Sequence, residues 1–133
     1  MRLSGRFRAY SVDEVGDLLS GLVRQNVRQL REGERPISEA LRPDVSGRRR
    51  LSYIRRDDDE SWWSIRDLWR RGGGDCEDLA AALAAELRVF HGLKAHVHLY
   101  RVRAGLWHAV VRVLVNGQWK KMDPSRWGGM GDA

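Results

Sequence analysis

The chain has a single cysteine, Cys76, in 133 residues. An internal disulfide framework is therefore excluded, and the thiol has to be accounted for as packing or as chemistry. Long apolar runs are missing too, and none approaches the roughly 20 residues of a membrane span. The stretch from Met1 to Arg6 lacks the apolar segment of a secretory signal. A soluble protein acting where it is made, with no membrane partner, is the expectation. Lysine is scarce, occurring only at 94, 120 and 121, so the net charge of +6 is carried by arginine. The basic clusters Arg48-Arg49-Arg50, Arg55-Arg56 and Arg70-Arg71 are short and scattered. One of them runs directly into Asp57-Asp58-Asp59-Glu60. A solvated surface fits this pattern better than a nucleic-acid face, which would concentrate its cations. There is no internal repeat and no low-complexity linker, and the length suits one modest core. A single domain over 1–133 follows.

What is present is strongly periodic. From Ser11 to Arg31, Val15, Leu18, Leu19, Leu22, Val23, Val27 and Leu30 recur at helical spacing, and Ser11 with Glu14 makes a capping box. Gly33 is the expected stop. Glu34 to Gly47, broken by Pro36, Pro43 and Gly47, is expected to be irregular, with a short turn near Ser38 to Leu41. Arg48 to Asp59 is expected to be the most mobile stretch. Ser61 to Arg71 has the pattern of a short helix with Trp62, Ile65, Leu68 and Trp69 along one side, ended by Gly72-Gly73-Gly74. Asp75 is a good N-cap for a helix running to His91, with Gly92 as its stop. Cys76, Leu79, Leu83, Leu87 and Phe90 share one face of that helix. Lys94 to Arg103, Leu106 to Val115 and Gln118 to Asp123 have strand character, and Asn116-Gly117 is a two-residue hairpin signal. Helices first and an antiparallel sheet last imply an α+β domain.

A helix N-terminus favours a thiolate, the nucleophilic form of cysteine, through its dipole and its free N–H groups. Cys76 opens a helix, although Glu77 and Asp78 oppose a thiolate locally, so a histidine partner is needed. Four histidines are available. His91 falls at the helix end, where capping is its ordinary role. His96 and His98 share a strand face and, with His108 across the hairpin, form a zinc-like set that lacks a second close ligand pair. His108 is singled out by register. If Val115 pairs with Gln118 across the turn, Val110 stands opposite Asp123 and His108 opposite Ser125. Asp123 is then a diagonal neighbour of His108 on the same face, at roughly 7–8 Å or somewhat less between Cβ atoms. A carboxylate there fixes the imidazole tautomer and turns the other ring nitrogen toward a nucleophile.

Gly74-Asp75-Cys76-Glu77-Asp78-Leu79-Ala80, then His108-Ala109-Val110-Val111, then Asp123-Pro124-Ser125, resembles the transglutaminase-like group of the papain-like cysteine-peptidase superfamily. The resemblance spans about 53–130, leaving 1–52 as an N-terminal helix and irregular extension. It implies a papain-like core in which N-terminal helices pack on a C-terminal antiparallel sheet. It also implies Cys76 as nucleophile, His108 as general base and acid, and Asp123 as orienting group. The oxyanion hole would combine the Cys76 backbone N–H with an upstream donor, often a tryptophan in transglutaminases, for which Trp62, Trp63 and Trp69 are the candidates. The ending Asp123 to Met130 is similar to that of small family members encoded among bacteriophage structural genes, which implies a bacterial cytoplasmic or virion-associated location. The implied reaction is thiol acyl transfer on a protein or peptide substrate, with hydrolysis favoured over crosslinking by the small size. No metal or cofactor is implied. Asp57 to Glu60 lacks the ligand-and-glycine spacing of a calcium loop. The competing expectation is a non-catalytic structural or assembly protein, as of a phage particle, that keeps the scaffold for binding.

Overall fold

The computed structural model describes residues 12–55, 61–104 and 106–131. Within them α1 spans Val12–Arg31, followed by β1 (Ser52–Tyr53), α2 (Ile65–Arg71), β2 (Gly73–Gly74) and α3 (Cys76–His91). Strands β3 (Ala95–Arg103), β4 (Leu106–Val115) and β5 (Gln118–Met122) come next, and α4 (Pro124–Trp127) ends the set. The chain is thus mixed helix and sheet, with helices first and a three-stranded antiparallel sheet in the order β3-β4-β5. Ser11, the expected cap of α1, lies outside the described residues, as do Asp57 to Glu60.

Helix α3 is the centre of the core. The spacing of its leucines predicts one apolar face, but every residue from Cys76 to Leu87 is buried. The alanines at 80, 81, 82, 84 and 85 are the physical reason. Their small side chains let α1 pack on one flank and β3 and β4 on another. Leu79 and Leu83 are fully buried between these layers, each burial contributing about 1.5–3 kcal/mol. On the sheet, Ala109, Val111 and Val113 of β4 join this core. Strand alternation places His108 and Val110 on the other face of β4.

Two expectations need correction. The helix expected from Ser61 begins only at Ile65. Ser64 is its N-cap, in a capping box with Asp67, and the Trp63 N–H donates to Asp78 Oδ1 at 2.9 Å. These bonds hold Trp62 and Trp63 in a non-helical approach to α2. Arg48 to Asp59, expected to be mobile, is anchored over its first part. Leu51 is fully buried, and the N–H groups of Arg50 and Leu51 both donate to the Ala40 carbonyl. Ser52 and Tyr53 then pair in parallel with Gly73 and Gly74.

That pairing is possible only because of glycine. Gly73 has φ +147°, and a Cβ there would stand 1.9 Å from the Ser52 carbonyl oxygen. Ile54 N–H donates to the Gly74 carbonyl at 2.7 Å, and Tyr53 N–H to that of Gly128 at 2.9 Å. The segment therefore threads between the strand that leads into Cys76 and the end of α4. Polar groups on α1 assist from the other side. Asn26 Oδ1 accepts from Ile65 N–H at 2.8 Å and Gln29 Oε1 from Arg66 N–H at 3.0 Å. Both satisfy first-turn donors of α2 that have no intrahelical acceptor. Buried Glu86 does the same for the 37–38 turn, accepting from the N–H groups of Ile37 and Ser38 and from the Ser38 hydroxyl.

Candidate active site

Cys76 is the first residue of α3, and Asp75 before it is the N-cap. The Asp75 side chain accepts from Asp78 N–H, while Asp78 Oδ2 accepts from Asp75 N–H. This reciprocal box fixes the backbone around the thiol. Gly74 matters as well, since a Cβ there would stand 2.5 Å from Leu68 Cδ2 and 2.9 Å from Asp78 Cβ. The glycine run thus brings α2, β1 and the start of α3 closer together than any side chain would permit.

The hairpin forms as the dipeptide predicts. Asn116 and Gly117 both have positive φ, 51° and 77°, as a two-residue type I′ turn requires. Val115 pairs with Gln118, and the ladder runs to Val111 opposite Met122. There β5 stops. Asp123, expected as the last strand residue, becomes instead the N-cap of α4, with its carboxylate accepting from Ser125 N–H. Its other oxygen, Oδ2, lies 2.7 Å from His108 Nε2. His108 is 3% exposed. Opposite it on β3 stands Tyr100, whose ring meets the imidazole edge-on at 5.6 Å between centroids.

The thiol meets β4 just beyond the end of the β4–β5 ladder, where the Ala109 backbone N–H hydrogen-bonds the sulfur and favours its ionised form. Other influences oppose ionisation. Burial, the charges of Glu77 and Asp75 and a hydrogen bond from Sγ–H to Glu77 Oε2 at 2.9 Å push the thiol well above its ordinary range. Tyr53 of β1 also faces this region. Its phenol is pushed upward by burial and by the charges of Cys76, Asp75 and Glu77, which sets it within electrostatic reach of the thiol. The β1–β2 pairing puts it there, and no local pattern announces that pairing.

The three tryptophans separate. Trp69 donates its indole N–H to the Arg35 carbonyl at 2.8 Å and carries the Arg35 guanidinium 3.9 Å over its ring. That commits its donor to the α1–α2 connection. Trp63 lies under the Arg71 guanidinium, 4.6 Å from its ring centroid. Trp62 is half-buried against the core, with its indole nitrogen buried. Such cation–π packing gives several of the many arginines a structural role.

His91 ends α3, and His96 and His98 lie on β3. His96 meets Trp119 at 5.2 Å and His98 stacks on Tyr100 at 6.3 Å. Both are pushed downward, by burial first and then by Arg112. Among the described residues no three His, Cys, Asp or Glu side chains group so as to hold a metal ion. No described helix is long and apolar enough to cross a membrane. Comparison of the chain with protein-family models, curated proteins and solved structures finds no match in any of the three.

Proposed function

We propose that the protein is a cysteine-dependent acyl transferase of the papain-like, transglutaminase-like kind, acting as a hydrolase on an amide or peptide bond. The observation that carries this reading is the 2.7 Å contact between His108 Nε2 and Asp123 Oδ2, on the strand whose next amide hydrogen-bonds Cys76. An ionised carboxylate only accepts, so this contact puts the imidazole proton on Nε2. Nδ1 is then the basic nitrogen that takes the proton from Cys76. The sulfur attacks the carbonyl carbon, and the charge on its oxygen is met by the Cys76 N–H at the start of α3. Trp62 and Trp63 remain the candidates for the second donor, since the Trp69 indole N–H is committed to the Arg35 carbonyl. Each such donor is worth roughly 10²–10³-fold in rate. His108 returns its proton to the leaving amine, and water resolves the thioester.

A second reading is a non-catalytic scaffold used in assembly, as in a phage particle. The observation favouring it is a thiol that is only 5% exposed and held by Glu77. Alkylation of Cys76 across pH separates the two. With the Glu77 contact to the sulfur removed, reactivity that persists below the ordinary thiol pKa of about 8.5, and is lost on adding His108→Ala, is the outcome expected of the triad. An inert thiol in the folded protein and in all its variants sinks the enzyme reading. The same protein is expected not to bind nucleic acid at low salt, where phosphate contacts are strongest.

A further inference from the structure

The resting thiol is not in the state that nucleophilic attack requires. Its proton is directed at Glu77 Oε2, 2.9 Å away, and Glu77 is 3% exposed. The two residues are consecutive on the first turn of α3, so the contact depends on no distant element. An ionised carboxylate can only accept, so the thiol in this hydrogen bond keeps its proton. Ionising the sulfur would set two negative charges within bonding range of one another, on two side chains almost wholly removed from solvent. The neighbours are mostly of the same sign. Asp75 and Asp78 are buried on the same helical turn, and the Tyr53 phenol of β1 stands near Cys76, Asp75 and Glu77. On the opposing side are the Ala109 N–H and His108 of β4, and Arg55, whose charge reaches Tyr53.

We propose that Glu77 is a further residue of the site that acts on the nucleophile itself, as a latch that keeps Cys76 a neutral thiol until the carboxylate leaves the sulfur or loses its charge. This rests on the reading of Cys76 as the nucleophile, and it gives the thiol two neighbours of opposite effect. His108 takes the proton away, and Glu77 retains it. A change in the Glu77 side-chain torsions would leave the capping box of Asp75 and Asp78 in place.

The test uses the full chain as wild type, Glu77→Gln and Glu77→Ala, each with and without His108→Ala. Pseudo-first-order alkylation by iodoacetamide is followed from acid to alkaline pH. Thiolate absorbance in the ultraviolet is titrated in parallel, so that one readout does not require a reagent to reach the sulfur. Glu77→Gln keeps the shape and removes the charge. It is expected to raise the alkylation rate at neutral pH by about tenfold or more and to move the absorbance midpoint toward acid. Glu77→Ala gives the same direction through a different packing change, and covers the case in which glutamine is not accommodated. Rates and midpoints that are unchanged, or that move toward alkali, in the folded variants overturn the latch. The arms keep the two readings apart. Acceleration on removing Glu77, with no effect of His108→Ala, upholds the latch and rejects the triad. Slowing by His108→Ala, with no effect at Glu77, does the reverse.

Discussion

Asp123 serves two neighbours with two oxygens. Oδ1 accepts from Ser125 N–H at 3.2 Å and caps α4, while Oδ2 faces His108. Asparagine caps helices about as well as aspartate, but its amide does not reproduce the charge that holds the imidazole tautomer. On the proposed hydrolase reading, Asp123→Asn is therefore expected to lower turnover roughly 10²–10⁴-fold. The melting temperature should stay within a few degrees of wild type, for a stability change of about 1 kcal/mol or less. Steady-state assays beside thermal melts check both halves, and equal loss in both would make the residue structural only. The Asp123–His108 pairing was legible in the sequence because it follows from one local turn. Asn116-Gly117 sets the register, and the register sets the diagonal. That Asp123 leaves the strand to cap a helix was not legible, because a four-residue helix has no periodicity to display.

Elements differ in how far local sequence governs them. The boundaries of α3 follow from its own residues, with Asp75 opening it and Gly92 closing it in a left-handed turn at φ 62°. The start of α2 does not. Apolar spacing runs smoothly from Trp62, but the chain is drawn out of the helix by Asp78, and the first turn is capped in part by Asn26, 39 residues away. Asn26 and Gln29 lie in the C-terminal half of α1 and are buried, where polar residues signal nothing until their partner is known. The β1–β2 pair is likewise a tertiary product. Gly73→Ala tests its weight, since the added methyl collides with the Ser52 carbonyl in a backbone conformation that alanine avoids. A loss of about 3 kcal/mol or more is expected in urea unfolding. A loss below about 1 kcal/mol would mean that the pairing contributes little.

For the whole molecule, the buried thiol makes stability depend on pH in one direction. The Cys76 thiol is pushed up in the folded state, by burial first and then by Glu77. Its contribution is complete below the unfolded-state pKa of about 8.5 and declines above it, because only the unfolded chain then releases the proton. Unfolding free energy is expected to fall by about 1.4 kcal/mol per pH unit in that window, until the folded-state value is reached. Cys76→Ala should remove this slope between about pH 8.5 and 10, where the Tyr53 phenol does not yet contribute. Denaturant melts at neutral and alkaline pH measure it, and parallel slopes for the two proteins would show that the thiol ionises freely in the fold. The broad architecture of helices before sheet was legible from period alone. How β1 passes between Gly74 and Gly128 was not, since it joins distant parts of the chain. The order of the site along the chain has a further consequence during synthesis. A ribosome makes Cys76 and Glu77 in consecutive steps, whereas His108 and then Asp123 emerge only after the rest of α3 and β3. If nascent α3 holds the same Sγ–Glu77 hydrogen bond, the thiol is restrained before the His108–Asp123 pair proposed to act on it has been made.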